Sequence, residues 1–182
     1  LRPILEGIIK KGLDVRFHTP NAIHVKLVEK ETAKLLHSSG FKTIRLGLES
    51  ADMDLHKDID SKVFKGDIEK AVFHLKNAGF SNGQLGAYIL FGLPGQSVKS
   101  VYDTIIFTDK LGIIPFLSEY SPIPHTPLWD MAVKYARFDI VSDPIFHNNT
   151  LVPCWDETKI KSIPILKNLA IDIRKRIQNP PA

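Results

Sequence analysis

Apolar residues follow two different spacings that alternate along most of the chain. In the stretches that begin at Ile68 and Val98 they recur at i, i+3, i+4 and i+7, which predicts amphipathic helices. Between the helical stretches lie short, nearly continuous apolar runs, as in parallel strands that helices cover on their faces. The predicted strands are Asp14–His18, Thr43–Leu48, Gly86–Phe91 and Ile113–Glu119. Helices are predicted over Leu1–Lys11, from Ser97 onward, over Trp129–Tyr135, and at the end of the chain around Leu166, Leu169, Ala170, Ile173 and Ile177.

Glycine marks each predicted passage from a helix to a strand. Gly12, Gly40, Gly79 and Gly112 are separated by 28, 39 and 33 residues, and glycine just past a helix is a common left-handed cap. The repeat predicts successive βα units and so an α/β fold of the partial TIM-barrel type. We expect the four strands to be parallel, adjacent in sequence order and joined by right-handed crossovers. Four units do not close a barrel, so we expect an open edge beside the first strand.

The pattern changes after Pro122, where prolines interrupt regular structure. An irregular excursion is predicted over Arg137–Trp155, followed by the last helix. We therefore divide the chain into residues 1–136, which carry the βα units, and residues 137–182, which carry the excursion and a helix that packs on the barrel.

Composition narrows the protein class only modestly. The 182 residues, 43% of them hydrophobic, suit one domain, and no apolar run is long enough to span a membrane. A single cysteine favours a reducing, cytoplasmic setting. The net charge of +4 is spread along the chain and gives no clear sign of nucleic-acid binding. The first residue is Leu1 and the segment fits no signal or transit peptide, so we expect the C-terminal part of a longer protein.

Polar and glycine-rich sequences follow the predicted strands. In a parallel array these strand ends share one face, where ligands bind in such folds. A carboxylate such as Glu49 suits a ribose diol; the alternatives are that Glu49 caps the next helix or pairs with Arg45. The glycine turn either lets a ligand approach the backbone or is only a tight connection. The four strand-end sequences are His18-Thr19-Pro20-Asn21, Glu49-Ser50, Gly92-Leu93-Pro94-Gly95-Gln96 and Glu119-Tyr120-Ser121-Pro122.

Three ordered motifs resemble the later strands of radical S-adenosylmethionine (SAM) enzymes. They are Gly47-Leu48-Glu49-Ser50, Phe91-Gly92-Leu93-Pro94-Gly95-Gln96 and Tyr120-Ser121-Pro122-Ile123-Pro124-His125-Thr126-Pro127. The likeness covers roughly 16–154 and is greatest to the Fe–S oxidoreductases that often carry a cobalamin-binding domain. It implies a fragment of a (βα)6 partial barrel. It also implies SAM and a four-iron–four-sulfur cluster as cofactors, with cobalamin as a candidate cofactor of the parent protein, and cleavage of SAM to a 5′-deoxyadenosyl radical.

The resemblance also implies a set of cofactor-binding residues. Glu49 and Ser50 would hold the ribose of SAM, and the end of the fourth strand would contribute backbone contacts. The remaining members of the set are Leu90, Gly92, Leu93, Pro94 and Gly95 beside the adenine, and Glu119, Tyr120 and Ser121 at the last strand end. The sequence departs from the family pattern at Tyr88, Leu90 and Gln96, which stand where glycine, isoleucine and glutamate are usual.

The family's C-x-x-x-C-x-x-C loop has no counterpart in this chain. Its one cysteine, Cys154, lies far from where the loop belongs and is expected to be a buried thiol rather than a nucleophile. The cluster would therefore be bound by residues outside this chain, in a missing N-terminal half, and the isolated chain would be inactive. His18, Asn21 and His24 are candidate substrate contacts; the histidine spacing predicts no metal site.

The resulting functional hypothesis is the C-terminal part of a radical SAM oxidoreductase that acts on an unknown substrate. Two alternatives stay open. One is a non-catalytic ligand-binding or assembly module on a partial barrel. The other is an unrelated TIM-barrel fragment that binds phosphate through Gly92–Gly95.

Overall fold

Helices and strands alternate from the start of the chain to residue 119. A computed structural model describes residues 1–50 and 66–180. The strands are β1 (Phe17–His18), β2 (Ile23–His24), β3 (Phe41–Glu49), β4 (Leu85–Phe91) and β5 (Ile114–Glu119). The helices are α1 (Arg2–Lys10), α2 (Lys30–Ser38), α3 (Asp67–Asn77), α4 (Val98–Lys110), α5 (Trp129–Tyr135), α6 (Glu157–Ile160) and α7 (Ile163–Gln178). Short 3-10 helices occupy Val25–Leu27, Asn82–Gln84, Pro144–His147 and Asn149–Leu151.

The strands form one parallel sheet that curls into a half-barrel. The order is β1-β3-β4-β5, with β2 also paired to β3, and every pairing is parallel. The predicted α/β fold with parallel strands in sequence order is thus confirmed. Pro115 lies in β5, which has β4 as its only strand neighbour in the described part of the chain, and an edge strand is where a proline is tolerated.

The first predicted strand, Asp14–His18, is wrong in its extent. Only Phe17 and His18 pair there, and a second short strand, Ile23–His24, pairs further along β3. Pro20 has no N–H to continue the ladder. In the gap the Thr19 hydroxyl accepts a hydrogen bond from the Arg45 N–H at 2.7 Å. The edge therefore consists of two short strands, and between them a side-chain contact links Thr19 to β3.

The helix ends follow the predicted glycine pattern. All four junction glycines have positive φ, between 59° at Gly12 and 112° at Gly79, where L side chains are strained. At Gly79 a Cβ atom would also lie 2.8 Å from the His37 ring. At the other end of a helix, the Ser97 hydroxyl caps α4 by accepting from the Ser100 N–H at 3.0 Å, as predicted.

The core lies on the outer side of the sheet, beneath the helices. Alternate residues of β3, namely Ile44, Leu46 and Leu48, are buried against α2 and α3, while the intervening residues are half-exposed. A second apolar cluster joins β4 to α4 and α7 through Phe91 and Trp155, whose ring centroids are 5.7 Å apart. Within residues 1–50 and 66–180, no helix has the length and apolar composition needed to cross a membrane.

The edge formed by β1 and β2 generates a prediction about association. These strands pair only with β3 among the described residues, so their other edge presents backbone donors and acceptors that can template a further strand. We expect the chain to self-associate as its concentration rises, and light scattering over a dilution series measures this. An apparent mass that stays monomeric across the series would contradict the prediction.

Candidate functional site

The carboxyl ends of β3, β4 and β5 meet at one edge of the half-barrel. Glu49, Phe91 and Glu119 end these three strands, which are adjacent and parallel. This juxtaposition is the one that the sequence predicts for its strand-end residues, and such an edge is where open α/β folds bind ligands.

The backbone at Glu49 is strained. Its φ is 60°, and the Ser50 N–H donates to the Leu48 carbonyl at 2.7 Å across it, a tight three-residue turn that is rare with positive φ. A register shift between Gly47 and Glu49 also interrupts the pairing with β4, and such bulges re-aim side chains beside active sites. His125 and Val152 also have positive φ, but Glu49 is the one of the three that lies at a strand end of the sheet, which makes it a candidate site residue.

Arg45 does not act as the ion-pair partner of Glu49. Its Nη1 donates to the carbonyl oxygens of Ile44 and Gln84, at 3.2 and 3.4 Å. Burial lowers the pKa of Arg45, and the like charge of Arg174 lowers it further, while Tyr88 opposes the shift. The other alternative, that Glu49 caps the following helix, concerns residues 51–65 and lies outside the described residues.

The turn after β4 is built around Gln96, which is buried. Its Oε1 accepts from the Leu93 N–H at 3.3 Å and its Nε2 donates to the Leu90 carbonyl at 3.0 Å. The side chain therefore uses both of its polar ends to close the turn. Because the Leu93 N–H already has an acceptor, it is not a spare donor for a phosphate.

The two glycines of this turn differ in their surroundings. Both have positive φ, 89° at Gly92 and 76° at Gly95. A Cβ atom on Gly92 would lie 2.9 Å from Cγ1 of Val152, whereas one on Gly95 would meet Tyr135 at an ordinary 3.7 Å. The space at Gly92 is thus filled by the chain itself, and Gly95 is exposed at the edge. The side chains of Leu93 and Pro94 are buried.

At the end of β5, three predicted site residues hold neighbouring elements. Glu119 points to α7, where its Oε1 lies 2.8 Å from the Lys167 ammonium. Tyr120 packs in an apolar cluster with Leu93, and burial raises the pKa of its phenol to about 12. Ser121 donates to the His147 carbonyl at 2.6 Å. These side chains are thus engaged by neighbouring elements, and the backbone contacts with a ligand that the sequence suggests here stay a prediction.

The candidate substrate residues lie at different depths along β3. His18 pairs opposite Thr43 and contacts its hydroxyl at 2.9 Å, six residues before Glu49 and so roughly 20 Å from the edge. His24 pairs opposite Gly47, close to the edge, and Asn21 lies between the two short strands. The structure does not bring the three side chains together.

Two further residues, Ser118 and Tyr88, lie on the half-exposed inner face of the sheet and were not among the predicted site residues. Ser118 lies opposite Leu90 in the β4–β5 register, and its position follows only once that register is known. Tyr88 reaches across the sheet, and its hydroxyl donates to the Pro20 carbonyl at 2.8 Å. A period of two through β4 places Tyr88 on the same face as Leu90.

No group of three or more His, Cys, Asp or Glu side chains in the described ranges is arranged to hold a metal. Cys154 is buried, its Sγ lies 3.8 Å from the Ala132 carbonyl, and burial raises the pKa of the thiol to about 11. The group is therefore protonated at neutral pH, which fits a packing role.

Replacing Gly92 tests the packing of the turn. We expect Gly92→Ala to lower the free energy of unfolding by about 2–4 kcal/mol, since it adds both strain and overpacking. The matched control Gly95→Ala adds strain without the clash and should cost about 1 kcal/mol. Urea unfolding measures both. In a Val152→Ala background the difference between the two glycines should shrink; equal costs in the original chain would show that Val152 does not fill this space.

The raised pKa of Cys154 predicts slow thiol chemistry. At pH 7.5, about 3.5 pH units below a pKa of about 11, the thiolate fraction is roughly three in ten thousand, before burial slows access further. A chromogenic disulfide reagent should therefore react slowly with the folded chain and quickly in guanidinium chloride. Fast, stoichiometric reaction with the folded chain would contradict this account of the site.

Comparison with known proteins shows likeness at the level of structure. No known protein family and no curated protein matches the sequence. A radical SAM methyltransferase from Kitasatospora setae, solved with tryptophan and a SAM analogue, is 17% identical over 73% of this chain, with a TM-score of 0.59. The Escherichia coli coproporphyrinogen III oxidase, a radical SAM enzyme, is 14% identical over 92% of this chain, with a TM-score of 0.59. Methylornithine synthase is 16% identical over 93% of this chain, with a TM-score of 0.60.

The aligned regions are only part of those proteins, 27%, 36% and 43% of their respective lengths. Sequence identities this low establish a shared fold but not a shared reaction or substrate. The described chain therefore has the parallel partial-barrel fold of radical SAM enzymes, as its strand-end motifs predict.

Proposed function

We propose that this chain is the C-terminal part of a radical SAM Fe–S oxidoreductase and supplies the ribose and adenine side of its SAM site. The observation that carries the proposal is Glu49, a half-buried carboxylate held in a strained turn at the carboxyl end of β3. Carboxylates at strand ends accept from ribose hydroxyls in nucleotide sites. The three motifs that resemble the family occur at three adjacent strand ends of a matching fold.

The residues beside Glu49 fit a nucleoside in part. Leu90 is a half-exposed apolar side chain on the neighbouring strand, and Gly95 exposes backbone at the same edge, which suits a flat adenine ring. The side chains of Leu93, Pro94 and Gln96 serve the turn itself. In the proposed site they position Leu90 and Gly95, and Ser50 supports Glu49.

The chain does not fit an iron–sulfur cluster, because a cluster needs several thiolates and the sequence has one cysteine. In the proposal the cluster is held by residues outside this chain and supplies the electron for reductive SAM cleavage. The parent protein is the enzyme, and the isolated chain is inactive. A structure of the Kitasatospora methyltransferase contains cobalamin and a [4Fe-4S] cluster, so cobalamin is a candidate cofactor of the parent. We place the protein in the cytoplasm because of its single cysteine.

The non-catalytic module stays an alternative on one observation, that the only cysteine is buried in packing contacts. The sequence encoded before Leu1 separates the two functions. The enzyme proposal expects a C-x-x-x-C-x-x-C loop there; an upstream sequence without clustered cysteines favours the module. The phosphate-binding alternative is disfavoured by the Leu93 N–H, which already donates to Gln96.

Glu49→Ala tests the nucleoside site in the cluster-loaded full-length protein. Charged hydrogen bonds are worth roughly 1.5–3 kcal/mol, so SAM affinity should fall by about ten- to a hundredfold. Calorimetric titration measures the affinity, and thermal melting checks that the fold survives. Glu49→Gln keeps the size of the side chain and removes its charge, and should fall between the wild type and Glu49→Ala.

The matched control is Asp103→Ala, which removes an exposed carboxylate that pairs with Lys99 on the surface of α4. It should leave SAM affinity unchanged. A folded Glu49→Ala protein that binds SAM as tightly as the wild type would remove Glu49 from the site. A lower melting temperature with unchanged affinity would assign Glu49 a structural role.

A further inference from the structure

A cavity of about 390 Å³ lies between β5 and α7 and reaches Glu119 at the end of β5. Phe116 and Leu117 of β5 form one wall, and Lys167, Ile171 and Arg174 of α7 form the other. The β5 wall is a strand edge without a further strand neighbour among the described residues. We call this space the β5–α7 cavity; its lining combines apolar surface with cationic groups.

The positive charge is only partly compensated in the cavity and beside it, where Arg45 lies against Phe116 without lining the cavity. Lys167 pairs with Glu119 at 2.8 Å, but neither Arg174 nor Arg45 has a carboxylate partner within the described residues. Both guanidinium groups nevertheless lie against the same ring. Their central carbons are 4.2 Å (Arg45) and 5.5 Å (Arg174) from the centroid of Phe116.

Some N–H groups of the Arg45 guanidinium have no hydrogen-bond acceptor among the described residues. A guanidinium has five N–H groups, and Arg45 uses only Nη1, for the carbonyls of Ile44 and Gln84. Its Nε and Nη2 have no acceptor in the described part of the chain. Arg45 is half-buried and its pKa is lowered by burial and by Arg174. Two like charges beside one another favour an anion between or beside them.

The Phe116 ring that both arginines approach is held in place by the sheet. Phe116 lies over Gly86, where a Cβ atom would come within 2.5 Å of the ring, so only glycine lets the ring settle there. Tyr88 packs against it with centroids 5.9 Å apart. A guanidinium stacked on a fixed ring keeps its N–H edge free for a planar anion.

We propose that the β5–α7 cavity binds a small carboxylate-bearing molecule. Arg174 holds the carboxylate, Arg45 adds charge and donors behind the Phe116 ring, and Phe116 and Ile171 pack against the apolar part of the ligand. Arg–carboxylate pairs are frequently bidentate, which selects a planar carboxylate. Arg45 precedes Glu49 by four residues, roughly 13 Å along the strand, so Arg45 lies away from the proposed ribose contact, while Glu119 borders both the cavity and the strand-end edge.

NMR titration of the isotope-labelled full chain with 3-phenylpropionate tests the proposal at constant ionic strength. We expect saturable shifts of the Nε–Hε signals of Arg174 and Arg45 and of the Phe116 amide, and weaker binding as salt is raised. The neutral 3-phenylpropanamide has the same apolar part and should not produce them. The assay contains no SAM, so its outcome is independent of the proposed function.

Arg174→Gln should weaken 3-phenylpropionate binding by about fivefold or more. Arg174 is exposed on α7, so the fold should survive, as circular dichroism can verify. The matched control is Arg137→Gln, because Arg137 also stacks on a phenylalanine, 4.7 Å from the Phe138 centroid, but without a second arginine. It should leave the affinity unchanged.

Three results would overturn the proposal. Equal binding of the amide would remove the carboxylate requirement. An Arg174→Gln affinity equal to that of the wild type would remove Arg174 from the site. Inorganic phosphate that produces the same shifts at lower concentration than 3-phenylpropionate would assign the cavity to phosphate instead.

Discussion

The pairing of β3 with β4 is the interaction on which the rest of the molecule depends. These two strands are the centre of the sheet, and the side chains on their outer side contribute to two of the apolar clusters of the core. Both strands bury such side chains completely, among them Ile44 and Leu46 in β3 and Leu85 and Ala87 in β4. Both strands therefore pack against helices on the same side of the sheet. Because the pairing is parallel, each connection must return across the sheet, and a helix covers that distance.

The sheet is buried on its outer side alone, and its inner side carries different residue types. In a closed barrel the inner residues pack on one another, but in this half-barrel the inner side chains stay half-exposed. Arg45, Tyr88 and Phe116 occupy that face in place of aliphatic residues, and Arg45 and Tyr88 meet around the Phe116 ring. Polar and aromatic residues tolerate partial exposure and still pack, so one surface both stabilises the sheet and remains able to bind.

The strands and helices with strong spacing could be predicted from the sequence. The spacing at Ile68 and Val98 and the junction glycines predicts α3, α4 and the parallel order of β3, β4 and β5. The extent of the first strand could not be predicted, because the Thr19 hydroxyl replaces a backbone partner for Arg45. A side-chain contact between segments distant in sequence leaves no trace in local periodicity.

The candidate site was predictable to the level of strand ends and no further. Glycine at position 92 predicts a close approach, but only the fold reveals that the approaching group is Val152 of the same chain. Gln96 departs from the family pattern, yet an amide has both a donor and an acceptor, and the turn uses both, toward Leu90 and Leu93. A carboxylate lacks the donor for the Leu90 carbonyl. Glutamine instead of glutamate at position 96 therefore suits this turn, which needs a donor and an acceptor from the same side chain.

Two glutamates at equivalent strand ends show why register matters more than residue type. Glu49 and Glu119 both end parallel strands and carry the same carboxylate. Glu119 continues the regular β4–β5 register opposite Phe91, so its carboxylate falls on the outer side, where α7 offers Lys167. At Glu49 a register shift sets the residue opposite Ile89, and its positive φ interrupts the regular alternation of β3. Since side chains alternate with a period of two, one irregular residue changes the surface that a carboxylate serves. Glu119 thus ties a helix to the sheet, whereas Glu49 lies at an irregular strand end, where the proposed nucleoside site needs its carboxylate.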